Sequence, residues 1–328
     1  MNRHSHLLKA SIVRRSFLTM IGAELLLLLW LLLPAMVYAA QATFGSADKA
    51  VESLVSAVRA RNNDQVMTVL GSESAKIMFS GDAVADRNML DNFLKAYDEK
   101  HQLVAGKKGS MTLVVGKNDW PMPIPIIRTS GKWRFDTVAG KEEILNRRIG
   151  RNEISAIQAC LAVLDAQREY LSRSGSATGL HEYARRFISE QGIKNGLYWP
   201  TGPNEPPSPL GQFAAQAAEE GYTAGQSTTG VSRLFYGYRF HMLTRQGVNA
   251  PGGALDYMVN GKLIGGFAVI AWPAEYGNSG IMTFIMNHDG IVYQRDLGPG
   301  TAKTAAETSE YDPGPRWKRV DSTRQVTN

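Results

Sequence analysis

Beyond residue 39 the chain has four histidines, His101, His181, His241 and His288, and a single thiol, Cys160. No two of these histidines lie within four residues of each other and none neighbours the cysteine, so a zinc site would need ligands converging from distant parts of the chain. The densest polar cluster is His288, Asp289 and Asp296 in FIMNHDGIVYQRDLG. Asp-Gly between two β-rich runs is a hairpin signal, and turn geometry explains that cluster without a metal. Glu142-Glu143 and Glu219-Glu220 occupy adjacent helix positions that face different directions, unlike a general acid and base pair. Cys160 sits in the apolar run QACLAVL, which suits a buried inert thiol rather than a nucleophile.

Gly277-Asn278-Ser279-Gly280 resembles the nucleophile loop of trypsin-like proteases, yet a triad also needs a base and an orienting carboxylate, and that family's histidine motif is absent upstream and its β-barrel pair is missing. APGGALDYMVNGKLIGG is glycine-rich, but β-type residues flank it on both sides and no Gly-Lys-Ser/Thr follows, so hairpin turns account for it better than a phosphate loop. No catalytic residue, metal ligand or cofactor is therefore assigned. The aromatic set is the better lead to an interaction surface, and Trp120, Trp272 and Tyr276, all close to turns, are its candidates.

Residues 1–39 carry Arg3, Lys9, Arg14 and Arg15, then an apolar run, then small residues to Ala39. This is the order of a signal peptide, with cleavage expected after Ala39; a retained anchor helix over Phe17–Ala35 is the alternative. Arg14-Arg15-Ser16-Phe17-Leu18 also fits a twin-arginine signal, although LLLLLWLLL favours the general secretory route. These 39 residues hold four of the 36 Lys/Arg and one of the 30 Asp/Glu, leaving 32 basic and 29 acidic side chains and a charge of +3. That balance implies no nucleic acid. One cysteine excludes an intramolecular disulfide, so stability rests on packing.

The elements that position these residues fall into two groups. Val51, Leu54, Val55 and Val58 recur at helical spacing behind Ser46, a second short helix spans about Asp64–Leu70, and Leu90, Phe93, Leu94 and Tyr97 form another stripe. The period then changes to short β runs, HQLVAG, SMTLVVG, DWPMPIPIIRT and GKWRFDTV. Pro121, Pro123 and Pro125 cannot donate ladder bonds, so their run reads as an edge strand or a polyproline-like segment. A long helix follows over about Lys141–Leu171, with Ile154, Ile157, Leu161 and Leu164 as its buried stripe and a junction or kink at Gly150. Strand-like segments separated by glycine turns complete an antiparallel meander packed on that helix. The expected architecture is α+β in two domains, 40–140 and 141–328, after the 1–39 leader.

Residues 44–138 resemble the cystatin-like cone of the nuclear-transport-factor-like superfamily. NEISAI with AQREY, GYRFHML and FAVIAWPAEYGNSGIMTFIMNHDGIVYQ resemble the head of type IV pilins and pseudopilins. A pilin's assembly helix runs directly into its head, whereas here more than a hundred residues intervene, so pilus assembly by that route is not expected. From about Thr43 to Val320 the chain resembles a bacterial family, domain of unknown function 2950, through DWPMPIPII, GKWRFDTVAGKEEILNRRIGRNE and APGGALDYMVNGKLIGGFAVIAWPAEYGNSGIMTF. That likeness implies an exported two-part protein and assigns no activity. The expected function is a non-catalytic periplasmic or cell-envelope binding module with a cell-envelope protein partner. The alternative is a hydrolase using a pocket in the N-terminal cone with Asp119, Tyr97 or His101.

Overall fold

Ser46, in extended backbone, accepts a hydrogen bond from the Lys49 N–H at 3.2 Å and caps α1, Ala47–Arg59. The computed structural model describes residues 40–175, 179–222 and 234–321, so the leader expected over 1–39 lies outside the described residues. Helix α1 buries the predicted stripe of Val51, Leu54, Val55 and Val58. Helix α2, Asn63–Leu70, is capped by Asn62, and the single turn α3 spans Ala75–Met78. Helix α4, Ala83–Glu99, begins at Asp82, whose Oδ1 accepts from Val84 and Ala85 N–H, both at 3.1 Å.

An antiparallel sheet follows: β1 His101–Ala105, β2 Met111–Val115, β3 Trp120–Pro121, β4 Ile126–Thr129 and β5 Lys132–Phe135. Its order is β1-β2-β4-β5, with β3 also paired to β2. The proline run is divided rather than continuous. Trp120 and Pro121 pair with Val115 and Val114, the ladder breaks around Pro123 and Pro125, and Ile126 resumes pairing as part of β4. Proline has no N–H to give a ladder, so the break falls where the sequence requires it. Phe44 exchanges backbone bonds with Trp133 at 2.8 Å in each direction and covers the β5 edge.

Helix α5, Thr137–Ser174, is one helix of 38 residues. It runs through Gly150, where the sequence reading places an interruption. A glycine costs a helix about 1 kcal/mol, and here Arg148 and Asn152, both buried, pin the chain on either side of it. At the start of α5 the glycine is required by contact: a Cβ on Gly140 would lie 2.6 Å from the Pro123 carbonyl oxygen and 2.8 Å from Ile124 Cα. The helix therefore sits directly on the segment between β3 and β4.

The buried stripe of α5 differs from the expected one. Ile157 and Leu164 are buried, but Ile154 is exposed and Leu161 only partly covered. Ala156, Ala159, Cys160, Val163 and Ala166 take their place, because small side chains let a sheet approach the helix closely. After α6, Gly211–Glu219, that sheet is built from β6 Tyr238–Leu243, the two-residue pairs β7 Arg245–Gln246 with β8 Leu255–Asp256 and β9 Met258–Val259 with β10 Lys262–Leu263 standing beside it, and then β11 Ala268–Pro273, β12 Met282–Asn287 and β13 Val292–Asp296. Helix α7, Thr301–Glu307, and β14, Lys318–Arg319, close the described chain, and the main sheet runs β14-β13-β12-β11-β6.

Two hairpin signals were placed correctly by the sequence. Asn260 and Gly261 have φ of 48° and 78° and link β9 to β10, with Val259 opposite Lys262. Positive φ at both loop residues is the type I′ requirement. Asp289-Gly290 closes β12 to β13: Gly290 has φ 80°, and its N–H donates to the Asn287 carbonyl at 2.9 Å. The architecture is α+β with antiparallel sheets, and from Gln41 onward it forms one compact unit with two apolar cores. One core lies between α1, α2 and the first sheet; the other lies between α5 and the second.

Candidate functional site: an apolar cavity

Leu90, Phe93, Leu94 and Tyr97 form the apolar stripe of α4 and point toward the first core, yet no residue of this helix is fully buried. A cavity of about 640 Å³ lies against this helix, lined by its Met89, Leu90, Asn92, Phe93 and Ala96. Leu54 and Val58 of α1, Val66 and Leu70 of α2, Ile77 and Met78 of α3, and Met89, Phe93 and Ala96 of α4 supply one side. Val115 of β2, Met122 and Ile124 of the proline segment, and Ile144 of α5 supply the other. Ligand sites usually enclose roughly 300–1,000 Å³ with mainly apolar walls and a few placed polar groups.

The polar lining is small. Asn92, Arg147 and Arg151 line the cavity with Trp120. Arg147 and Arg151 are four apart on α5 and so share a face. Arg147 Nε donates to Glu143 Oε1 at 2.7 Å, and its guanidinium lies 5.6 Å from the Trp120 ring centre, within cation–π range. Arg151 makes no ion pair among the described residues and faces water.

Arg148 turns the other way and fixes the wall. Only 5% exposed, it donates Nη1 to the Lys76 carbonyl at 3.0 Å and to Asn278 Oδ1 at 2.7 Å, and Nη2 to the Ile77 carbonyl. Burial pulls this guanidinium below its usual range, opposed by the nearby Asp86 charge. Burial also raises the Asp86 carboxyl, while the Ser80 backbone N–H, at 3.0 and 3.2 Å from its two oxygens, works against that rise.

The three interaction candidates part company. Trp120, 42% exposed, lines the cavity. Trp272 is 3% exposed within β11, every residue of which is buried, so it is a core side chain with no face for a partner. Tyr276 is half-buried and donates to Asp296 Oδ2 at 3.2 Å, away from the cavity. The side chains of the hydrolase alternative do not line the cavity either. Asp119 accepts from Lys100 Nζ at 2.7 Å, and His101 stacks on Tyr97 with ring centres 3.8 Å apart. His101 Nδ1 also donates to the Tyr97 carbonyl at 2.8 Å, and burial pushes the Tyr97 phenol up.

The protease-like loop is structural. Ser279 is fully buried, accepts from Glu275 N–H at 3.0 Å and lies 3.2 Å from the Glu275 carbonyl. Asn152 donates to the Ser279 carbonyl at 2.8 Å, and Glu153 Oε1 accepts from Ile281 and Met282 N–H at 3.1 and 3.0 Å. The Asn-Glu pair of NEISAI thus ties α5 to the entry of β12. Burial pushes the Cys160 thiol up to about 12, which removes it as a nucleophile. Among the described residues no group of three or more His, Cys, Asp or Glu is placed to hold a metal ion. Nor is any described helix long and apolar enough to cross a membrane.

A family model described as "Protein of unknown function (DUF2950)" matches residues 41–320. No curated protein and no solved structure matches the chain.

Proposed function

The chain belongs to the DUF2950 family, and on that premise we propose that it is an exported, non-catalytic binding module of the cell envelope whose ligand site is the cavity beneath α4. The observation that carries the reading is the chemistry of the walls. The space of about 640 Å³ is walled by aliphatic, aromatic and methionine side chains, with Asn92, Arg147 and Arg151 as its polar side chains. General acid–base work needs a titratable group within hydrogen-bond reach of the reacting atoms, and the acid, phenol and imidazole of the enzymatic alternative engage one another and Lys100 elsewhere. An apolar hole of this size instead gains by taking apolar surface out of water.

Export is part of the proposal and rests on the basic, apolar and small-residue order of residues 1–39. The two-part plan is also part of the proposal, a cystatin-like cone over 40–140 that holds the ligand and a pilin-head-like part over 141–328. Helices laid on an antiparallel sheet with a cavity between them support the first, and one long helix backed by an antiparallel sheet supports the second. A cell-envelope protein partner would meet the loaded module.

Expression of the full chain with a C-terminal tag tests this reading. The reading expects recovery from the periplasm or medium with Ala40 as the first residue, and native mass spectrometry showing a small lipophilic molecule that leaves on organic extraction. A cytoplasmic, uncleaved chain would overturn export. A chain with no lipophilic adduct, even after incubation with an envelope lipid extract, would overturn the cavity as a binding site.

A further inference from the structure

The charge that α5 brings to the cavity wall narrows the ligand. Arg147 and Arg151 contribute two positive charges and Glu143, paired with Arg147, contributes one negative charge. One positive charge is therefore uncompensated beside an otherwise apolar hole. Arg147 is held in place from two sides, by Glu143 on Nε and by the Trp120 ring, which leaves the rest of its fork of donors available. Arg151 reaches the same opening from the next turn of α5. Both side chains are exposed, so a bound head group keeps part of its hydration and the cost of burying a charge is avoided.

We infer that the cavity takes a single-chain monoanionic amphiphile, a free long-chain carboxylate, with its hydrocarbon chain under α4 and its carboxylate between Arg147 and Arg151. This inference rests on the binding reading above. Planar guanidinium groups match carboxylate geometry, and charge-assisted bonds of this type are stronger than neutral ones. The volume argues for one chain: about 640 Å³ lies within the range that encloses small ligands, whereas a two-tailed lipid is larger than such ligands. Met89, Leu90, Phe93 and Ala96 of α4 line the cavity and supply the surface along which the chain would lie. Trp120 lines the same cavity with its ring centre 5.6 Å from the Arg147 guanidinium, and Met122, two residues on, lines it too.

The test is displacement of Nile red, a neutral apolar dye, from the exported chain by laurate and by dodecanol, which share a tail and differ in head group. Laurate should displace the dye at about one tenth of the dodecanol concentration, as a charge-assisted head-group contact predicts. In the double variant Arg147→Gln with Arg151→Gln, that preference should fall to less than about twofold, and Arg147→Lys with Arg151→Lys should give an intermediate preference, because the charge remains while the planar fork is lost. Circular dichroism melts check that each variant folds. Equal potency of the two compounds on the unaltered chain overturns the head-group inference while leaving the cavity reading intact. So does a preference that survives the glutamine pair. Failure of Nile red to bind at all removes the cavity reading itself.

Discussion

Arg148→Met would remove a guanidinium and keep most of its apolar stem, so the change isolates the polar part of this side chain. Three acceptors lose their donor: the carbonyls of Lys76 and Ile77 and the side-chain oxygen of Asn278. Hydrogen bonds to a charged group contribute about 1.5–3 kcal/mol each, and the values do not simply add. Removing one partner of a buried charge network costs about 3–5 kcal/mol, and Asp86, whose carboxyl burial already raises, also loses its nearest compensating charge. The expected loss is therefore about 3–5 kcal/mol, a large share of the roughly 5–15 kcal/mol by which such folds are stable. Urea unfolding followed by tryptophan fluorescence measures it, with Arg148→Lys as the control. Lysine keeps the charge but cannot bond three separated acceptors as a planar fork does, so its loss should fall between the two. A methionine variant within about 1 kcal/mol of the parent would refute the assignment of Arg148 as the pin between α5 and the α3 wall.

Asp82 is 2% exposed and uses both oxygens, Oδ1 for the α4 cap and Oδ2 for Tyr222 Oη at 2.9 Å and Gly237 N–H at 2.8 Å. Asp82→Asn should cost at least about 2 kcal/mol by chemical denaturation, because an amide cannot accept at both positions and charge-assisted bonds are lost. Cys160 should not react with a thiol reagent at pH 8 until the chain unfolds, and labelling in native buffer would contradict its burial. Its pH dependence follows from linkage. With the folded thiol at about 12 and the reference at 9.0, the folded state holds a proton that the unfolded state releases, so this stability is complete below pH 9. It is lost as pH rises from 9 toward 12, at about 1.4 kcal/mol per pH unit. Cys160→Ala should remove this part of the alkaline loss. His288→Ala should change stability by no more than about 1 kcal/mol and leave metal content, read by elemental analysis, unchanged.

What the sequence revealed and what it concealed have separate physical causes. Local signals read well: the Ser46 cap, the Val51 to Val58 stripe, and the turns at Asn260-Gly261 and Asp289-Gly290 each depend on a few adjacent residues. Gly150 misled because its cost to a helix is small beside the contacts of Arg148 and Asn152 on either side. Trp272 misled because nearness to a turn in sequence does not reveal that β11 is an interior, wholly buried strand between β6 and β12. The cavity was hidden for a related reason. The α4 stripe, the α1 stripe and the proline segment each look like ordinary core positions, and only their separation in space leaves a hole between them. Arg147 and Arg151 could have been flagged by their i,i+4 spacing, but nothing local links them to Trp120.

The most direct test of the central claim is a Nile red titration of the unaltered chain beside two variants that fill the hole from different walls, Ala96→Phe on α4 and Val58→Phe on α1. The account predicts saturable, blue-shifted emission with one site per chain, and loss of that signal in both variants while each keeps a cooperative melt. Dye binding that persists unchanged in both folded variants, or no binding to the unaltered chain, would contradict it.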